Sequence, residues 1–380
     1  PRADVIHAGG GRDEIFGLGG KDVICGGKGR DDLYGGERHD RLAGGKGDDF
    51  LAGAEGNDRL VGGRGGDLAQ FLGHDRAVRV NLQEGKAKGW GNDRLRGVEY
   101  LGGTDEADVF VGDARRNLLF GHGGDDRLYG AEGRDFLFPG PGDDVLGGGD
   151  GFDAADYTLS ESAVVANLSS ETATSEEGTD TLAKIEDLWG SEFDDRLTGN
   201  AGSNHLFGWD GDDTLLAQSG DDLIAPGAGN DVLDGGSGDD IGDFFFFTLE
   251  TVVATGGVSV SLNEESAQGH GDDELDGIER ASGTKVGDVL IGDHGHNRLF
   301  GLRGKDALFG LDGNDRLHGG RGKDSLDGGR GRDVCIAGEE LESCEEGPGR
   351  VRASATPDLR PATRPRVSPA LVLREVGGGR

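Results

Sequence analysis

Aspartates fall every nine residues at Asp13, Asp22, Asp31, Asp40, Asp49, Asp58 and Asp67, and the phase never slips. Three further ladders keep the interval: Asp108, Asn117, Asp126, Asp135, Asp144, Asp153; then Asp195, Asn204, Asp213, Asp222, Asp231, Asp240; then Asp288, Asn297, Asp306, Asp315, Asp324, Asp333. Most of these residues close a glycine-rich hexapeptide, and seven hexapeptides match GGxGxD at every fixed position, ending at Asp31, Asp49, Asp67, Asp153, Asp240, Asp324 and Asp333. Carboxylates and glycine carbonyls are hard oxygen donors, so the chemistry on offer is cation ligation. Paired aspartates can also serve as acid and base. Their repetition along the whole chain speaks for structural ligands, because an active site is usually singular.

The elements that position these oxygens follow from the same interval. Two residues after each aspartate comes an aliphatic side chain, Ile15, Ile24, Leu33, Leu42, Leu51 and Leu60 in the first ladder, giving a repeat GGxGxDxUx with U aliphatic. A three-residue strand is too short to stand alone, but copies stacked in register satisfy one another's backbone and bury the U side chains. Glycine makes the corners, since it takes left-handed conformations without steric cost. Six turn residues and three strand residues make half a coil. Two repeats then close a coil of about 18 residues, and coils stack ~4.8 Å apart.

Every second turn therefore shares an edge: Asp13, Asp31, Asp49 and Asp67 line one side, Asp22, Asp40 and Asp58 the other. Carboxylates stacked at strand spacing repel one another unless positive charge sits between them. The ion that takes six to eight hard oxygens in flexible geometry is Ca²⁺. Mg²⁺ demands stricter octahedral geometry, and transition metals favour nitrogen or sulfur, which these turns lack. Binding and folding are then expected to be one event, with the metal-free chain largely disordered.

Composition agrees. Of 380 residues 33% are hydrophobic and 77 are glycine, and 73 acidic residues against 39 basic ones give a formal charge of -34. Such a charge repels nucleic acid and anionic membranes and makes cations the natural partners. Low hydrophobicity with high charge also marks disordered chains, and the periodicity decides for a folded repeat. No run of 18 apolar residues exists, so no membrane span is expected, and the start at Pro1 without any Met reads as a processed or trimmed one. No HExxH, GxSxG or GxxxxGK[ST] motif occurs, and the expectation is a protein that is not an enzyme. The nine histidines are scattered; the closest pair, His294 and His296, sits on a degenerate turn and reads as exposed turn residues, with a weak extra metal site as the alternative. Phe16 and Tyr34, and Phe120 and Phe138, fall at coil spacing on outward positions and are read as stacks bracing a sheet face, with a partner-binding stripe as the alternative.

A longer repeat is layered on the short one. Asp108 recurs as Asp195 and Asp288, while Gly97-Val98-Glu99, Lys184-Ile185-Glu186 and Gly277-Ile278-Glu279 fall at the same offsets. The spacers between ladders share an alternating segment (Val78, Val80, Leu82; Val164, Ala166, Leu168; Val258, Val260, Leu262), which argues for strands. The division is residues 1–67 as ladder 1; 68–153 as spacer 1 plus ladder 2; 154–240 as spacer 2 plus ladder 3; 241–346 as spacer 3, ladder 4 and a C-terminal cap; and 347–380 as a disordered tail.

These residues resemble the RTX (repeats-in-toxin), or hemolysin-type, calcium-binding repeats, in motif and over most of residues 6–346. The resemblance implies an all-β chain, a right-handed parallel β-roll (β-solenoid), of the secreted bacterial kind. It places each Ca²⁺ between turns 18 residues apart, held by their aspartates and by carbonyls of the first four turn residues. The implied metal ligands are Asp13, Asp22, Asp31, Asp40, Asp49, Asp58 and Asp67; Asp126, Asp135, Asp144 and Asp153; Asp213, Asp222, Asp231 and Asp240; and Asp306, Asp315, Asp324 and Asp333. Two departures bear on this set. Turn 35–40, GGERHD, carries Arg38 where the fourth glycine belongs, which weakens sites using Asp40. Turns ending at Asp108, Asp195 and Asp288 lack the double glycine, and Asn117, Asn204 and Asn297 lack the charge, so weak or empty sites are expected there.

At the end of the last ladder Cys335 takes the inward position and Cys344 lies nine residues on; a disulfide closing the core is the reading, against two reduced thiols packed as small apolar residues. Cys25 points outward without a partner. Residues 347–380 contain seven Arg against Asp358 and Glu375, have no nine-residue phase, and read as a disordered basic tail or linker. Function is then expected to be calcium binding by a secreted, extracellular, non-catalytic roll that folds on meeting the ion. Its alternatives are a folding and export module of a larger secreted protease, lipase or epimerase, and a calcium-dependent adhesin or surface protein. The sequence names no protein or glycan partner.

Overall fold

In the computed structural model, which describes residues 2–71, 73, 75–245, 257–337, 340–342 and 344, the nine-residue interval becomes a strand interval. The described residues form strands and turns with no helix, so none is long and apolar enough to cross a membrane. They build a parallel β-solenoid, and the described residues divide into two compact units, one of residues up to Ser160 with Glu171–Ile185 and one of Glu161–Ser170 with the described residues from Glu186 to 344. The tail 347–380 and the end of the Phe244–Phe247 run lie outside the described residues.

In the first unit, strands Val5–Gly10, Val23–Lys28, Arg41–Lys46 and Arg59–Arg64 pair in parallel on one side. Glu14–Phe16, Asp32–Glu37, Phe50–Glu55 and Leu68–Gln70 do so on the other. Partners are 18 residues apart: Ile24 faces Leu42 and Leu42 faces Leu60. These aliphatic residues, with Leu33 and Leu51, are fully buried, each worth roughly 1.5–3 kcal/mol of transfer from water. The second unit repeats the scheme, with Leu197, Leu215 and Leu233 stacked on one side and Leu206 against Ile224 on the other.

Each spacer leaves this pattern and returns to it. In the first unit Arg79–Asn81 runs antiparallel to Lys86–Lys88, and that strand antiparallel to Asn92–Arg96. Two reversals in succession restore the original direction, so Asn92–Arg96 stacks in parallel on Arg59–Arg64 and Arg79–Asn81 pairs in parallel with Val109–Val111. The opposite side gains a single rung, Tyr100–Gly102, between Leu68–Gln70 and Leu118–Phe120. In the second unit Ser259–Ser261, Ser266–Gln268 and Asp272–Asp276 make the same double reversal and rejoin Val232–Asp234. Of the alternating residues, Val80, Ala166 and Val260 are buried within strands and Val78, Val164, Leu168, Val258 and Leu262 are buried beside them, whereas Leu82 is half-buried in the turn after Arg79–Asn81.

Close stacking of the corners explains the glycines. Gly47 has φ +121°, and a Cβ there would run into the carbonyl oxygen of Gly29 one coil earlier, whereas Gly9, at φ +105°, has open space around it. Gly9→Ala is expected to cost ~1 kcal/mol, the left-handed strain alone, and Gly47→Ala ~3 kcal/mol or more, read as thermal stability in saturating calcium. Equal losses would remove the argument from close approach. Stacked rings brace the flanks: Phe16 lies 4.6 Å above Tyr34 and Phe120 4.2 Å above Phe138. The second pair is buried rather than outward, and Phe244 joins the core. Cys335 and Cys344 form a disulfide with Cα atoms 5.8 Å apart, and Cys25 is unpaired.

Candidate metal centre

The ladder aspartates use their two oxygens differently. Oδ1 accepts the backbone N–H of the residue 18 positions earlier, as Asp31 does from Asp13 (3.0 Å), Asp126 from Asp108 (2.7 Å), Asp231 from Asp213 (2.8 Å) and Asp333 from Asp315 (2.9 Å). This bond ties each rung to the next and fixes the carboxylate plane. Oδ2 is buried and accepts no hydrogen bond in Asp13, Asp22, Asp31, Asp40, Asp49, Asp58 and Asp67, in Asp126, Asp135 and Asp144, in Asp213, Asp222, Asp231 and Asp240, and in Asp306, Asp315, Asp324 and Asp333. Asp153, the last of the expected ligands, is buried with its Oδ1 on Asp135 N–H (2.8 Å). A buried charged oxygen left without a donor costs several kcal/mol, so a row of them calls for an external positive charge.

Carbonyls meet those oxygens. A Cβ placed on Gly35 would lie 2.7 Å from Asp40 Oδ2 and 2.8 Å from Gly53 O of the next coil; on Gly301 it would lie 2.6 Å from Asp306 Oδ2 and 2.7 Å from Gly319 O. The first glycine of a turn thus leaves free a cradle where a carboxylate and a carbonyl from successive coils converge. Among the described residues no three His, Cys, Asp or Glu side chains gather at one point. The donor set is one of carboxylate and backbone oxygens, which suits a hard cation of flexible geometry and fits calcium. Arg38 does not break the pattern: it adopts φ 81°, its carbonyl abuts Gly56 as that of Gly29 abuts Gly47, and Asp40 keeps both its Asp22 N–H bond (2.8 Å) and its unbonded Oδ2.

The degenerate turns satisfy their side-chain oxygens from within the chain. Thr104 N–H donates to Asp108 Oδ2 (2.7 Å) and its hydroxyl reaches the same carboxylate, while Val78 N–H takes Oδ1 (2.6 Å). Ser191 and Thr284 do the same for Asp195 and Asp288. In Asn117, Asn204 and Asn297 the side-chain oxygen accepts the N–H of Asp113, Asn200 and Asp293. The chain supplies its own donors where an ion is not expected.

Burial also raises the proton affinity of many of these carboxyls. Burial, followed by the crowding of neighbouring carboxylates, pushes Asp58, Asp126 and Asp213 up to about 8, against the partial relief of their backbone hydrogen bonds. Asp67, Asp135, Asp144, Asp240 and Asp306 rise to about 7. Asp49, Asp222, Asp231 and Asp315 rise to about 6, and so does self-capped Asp108, where the Val78 and Thr104 donors offset part of its burial.

Some ladder residues escape the nine-residue reading. Where the residue just before a ladder aspartate is itself an acceptor, it builds a second, exposed ladder: Asp48 accepts from Gly66 N–H (2.9 Å), Asp212 from Asn230 N–H (2.8 Å), and Asn314 from Arg332 N–H (2.9 Å). His39 and His296 take this place through Nδ1, so His296 is a turn-bracing residue. Spacers also re-enter the edge through Gly-x-Asp: Asp93 accepts Asp58 N–H (2.8 Å), Asp180 accepts Asp144 N–H (2.9 Å) and Asp273 accepts Asp231 N–H (3.2 Å). The signal was present as GWGNDRL, SEEGTDTL and GHGDDEL, off the regular interval.

Parallel coils with carboxylates and carbonyls converging along both edges define a repeat protein that ligates divalent cations at its corners. The RTX calcium-binding nonapeptide repeat matches residues 1–33, 34–69, 102–137, 189–224, 227–243, 275–308 and 300–335, more than half of the chain, which therefore belongs to that family. Its repeats bind calcium. Comparison with curated proteins finds no match.

Proposed function

We propose that this chain is a secreted, non-catalytic calcium-binding β-roll that stays unfolded at the low calcium of a cytosol and folds on reaching extracellular calcium. The observation that carries this reading is the row of buried aspartate Oδ2 atoms that no protein donor reaches. Ladder residues Asp13 to Asp67, Asp126 to Asp153, Asp213 to Asp240 and Asp306 to Asp333, taken every nine residues, are the ligands, with the carbonyls of the following coil. Bound calcium supplies the positive charge that lets successive carboxylates stack. Extracellular modules are tuned to about 0.1–1 mM, above resting cytosolic levels, which keeps the chain exportable before it meets the ion.

Calorimetric calcium titration of Asp126→Asn, beside Asp75→Asn as an exposed control, tests the assignment. Removing one charged ligand is expected to weaken binding at its site ~10- to 100-fold, with the control unchanged within ~2-fold. Indistinguishable titrations would count against the ladder as the ligand set.

A further inference from the structure

The Gly-Val-Glu and Gly-Ile-Glu motifs sit where a ladder gives way to a spacer, outside the nine-residue count. We propose that Glu99 and Glu279 are calcium ligands, each completing a composite site with the last aspartate of the ladder before it: Asp67 with Glu99 and the Gly97 carbonyl, and Asp240 with Glu279 and the Gly277 carbonyl. This rests on the reading that the ladder turns hold calcium.

Three observations converge. Asp67 N–H donates to Glu99 Oε2 (3.1 Å) and Asp240 N–H to Glu279 Oε2 (2.9 Å), the bond that ladder aspartates elsewhere give to the aspartate 18 residues on, as Asp49 does to Asp67, or to a spacer aspartate, as Asp58 does to Asp93. Asp67 and Asp240 are 0% exposed, and their Oδ2 atoms accept no hydrogen bond. A Cβ on Gly62 would meet both Asp67 Oδ2 and Gly97 O, and one on Gly235 both Asp240 Oδ2 and Gly277 O, the same cradle that Gly35 leaves for Asp40 Oδ2 and Gly53 O. Carboxylate, carbonyl and partner acid recur in their ladder positions.

Glutamate has a structural reason to replace aspartate here. Only six residues separate Asp93 from Glu99 and Asp273 from Glu279, where the ladder has nine, and the extra methylene spans the shortened turn. The two sites are not equal. Glu99 Oε1 pairs with Arg115, which also holds Asp113, so a cation must share that carboxylate with a guanidinium. Beside Glu279, Asp239 is the acid that engages Arg280 and Arg298. The Glu279 site is the tighter of the two.

Equilibrium dialysis of the full chain against radiolabelled calcium counts the ions. The double variant Glu99→Gln with Glu279→Gln keeps an acceptor for both aspartate amides, and it is expected to retain the β-sheet circular dichroism signal in saturating calcium while binding two fewer ions per chain. Glu14→Gln, exposed on a strand, should bind as many as the unaltered chain. Each single variant should lose one ion, with Glu99→Gln removing the weaker, and these carry the test where the double variant does not fold. An unchanged count and affinity overturns the proposal. An unaltered chain that binds no calcium would instead sink the ladder reading on which it stands.

Discussion

Stripping calcium from the folded chain at about pH 7.5 is expected to abolish its β-sheet circular dichroism signal, and excess calcium to restore it. The unfolded chain keeps its carboxyls in water near 3.8, while the ion-free fold holds Asp58, Asp126 and Asp213 near 8. Keeping one such group protonated at pH 7.5 costs roughly 5 kcal/mol. Three of them reach the whole stability of an ordinary domain, about 5–15 kcal/mol, before the other ladder residues are considered. The buried Ile and Leu columns offset part of this penalty. They cannot offset all of it in a chain with 33% hydrophobic residues and a formal charge of -34. A β signal that persists in excess chelator would show that packing alone suffices and that the ions are passengers.

Acidification should then pull in two directions. These carboxyl pKa values are raised on folding, so their contribution favours the ion-free fold fully below about 3.8 and is lost as pH climbs through 6 to 8. In chelator, more β structure is therefore expected at about pH 5 than at about pH 7.5. Calcium competes with the same protons, so its affinity should fall by about tenfold or more between pH 7.5 and 5.5, with protons released on binding in weakly buffered solution. Competition against a calcium dye across that range measures it. Affinity independent of pH would mean that the ions sit on groups other than the buried aspartates.

Much of this was legible because a solenoid turns one-dimensional spacing into position. A phase of nine put Ile24, Leu33 and Leu42 in the core and brought Asp31 and Asp49 onto one edge, with no long-range pairing to guess. Legibility failed where the register changed. Asp93 pairs with Asp58 across 35 residues and Asp273 with Asp231 across 42, distances set by hairpins that no local pattern announces. It failed again where one backbone need is met by several side chains: Asp48, His39, Asn57 and Ser203 all cap the amide one coil on, so no single letter repeats. Thr104 gives no signal in the repeat for the opposite reason, since its role is to make an ion unnecessary.

Those self-capped rungs behave as bulkheads. Within a ladder every carboxylate leans on the amide of its neighbour, so losing one ion loosens the next and the breach spreads. At Asp108, Asp195 and Asp288 the spread meets a corner already closed by a hydroxyl and an amide of its own chain. A nick or the loss of a single ion should flood one compartment and stop there, leaving the neighbouring stack as a template on which the opened stretch can rewind.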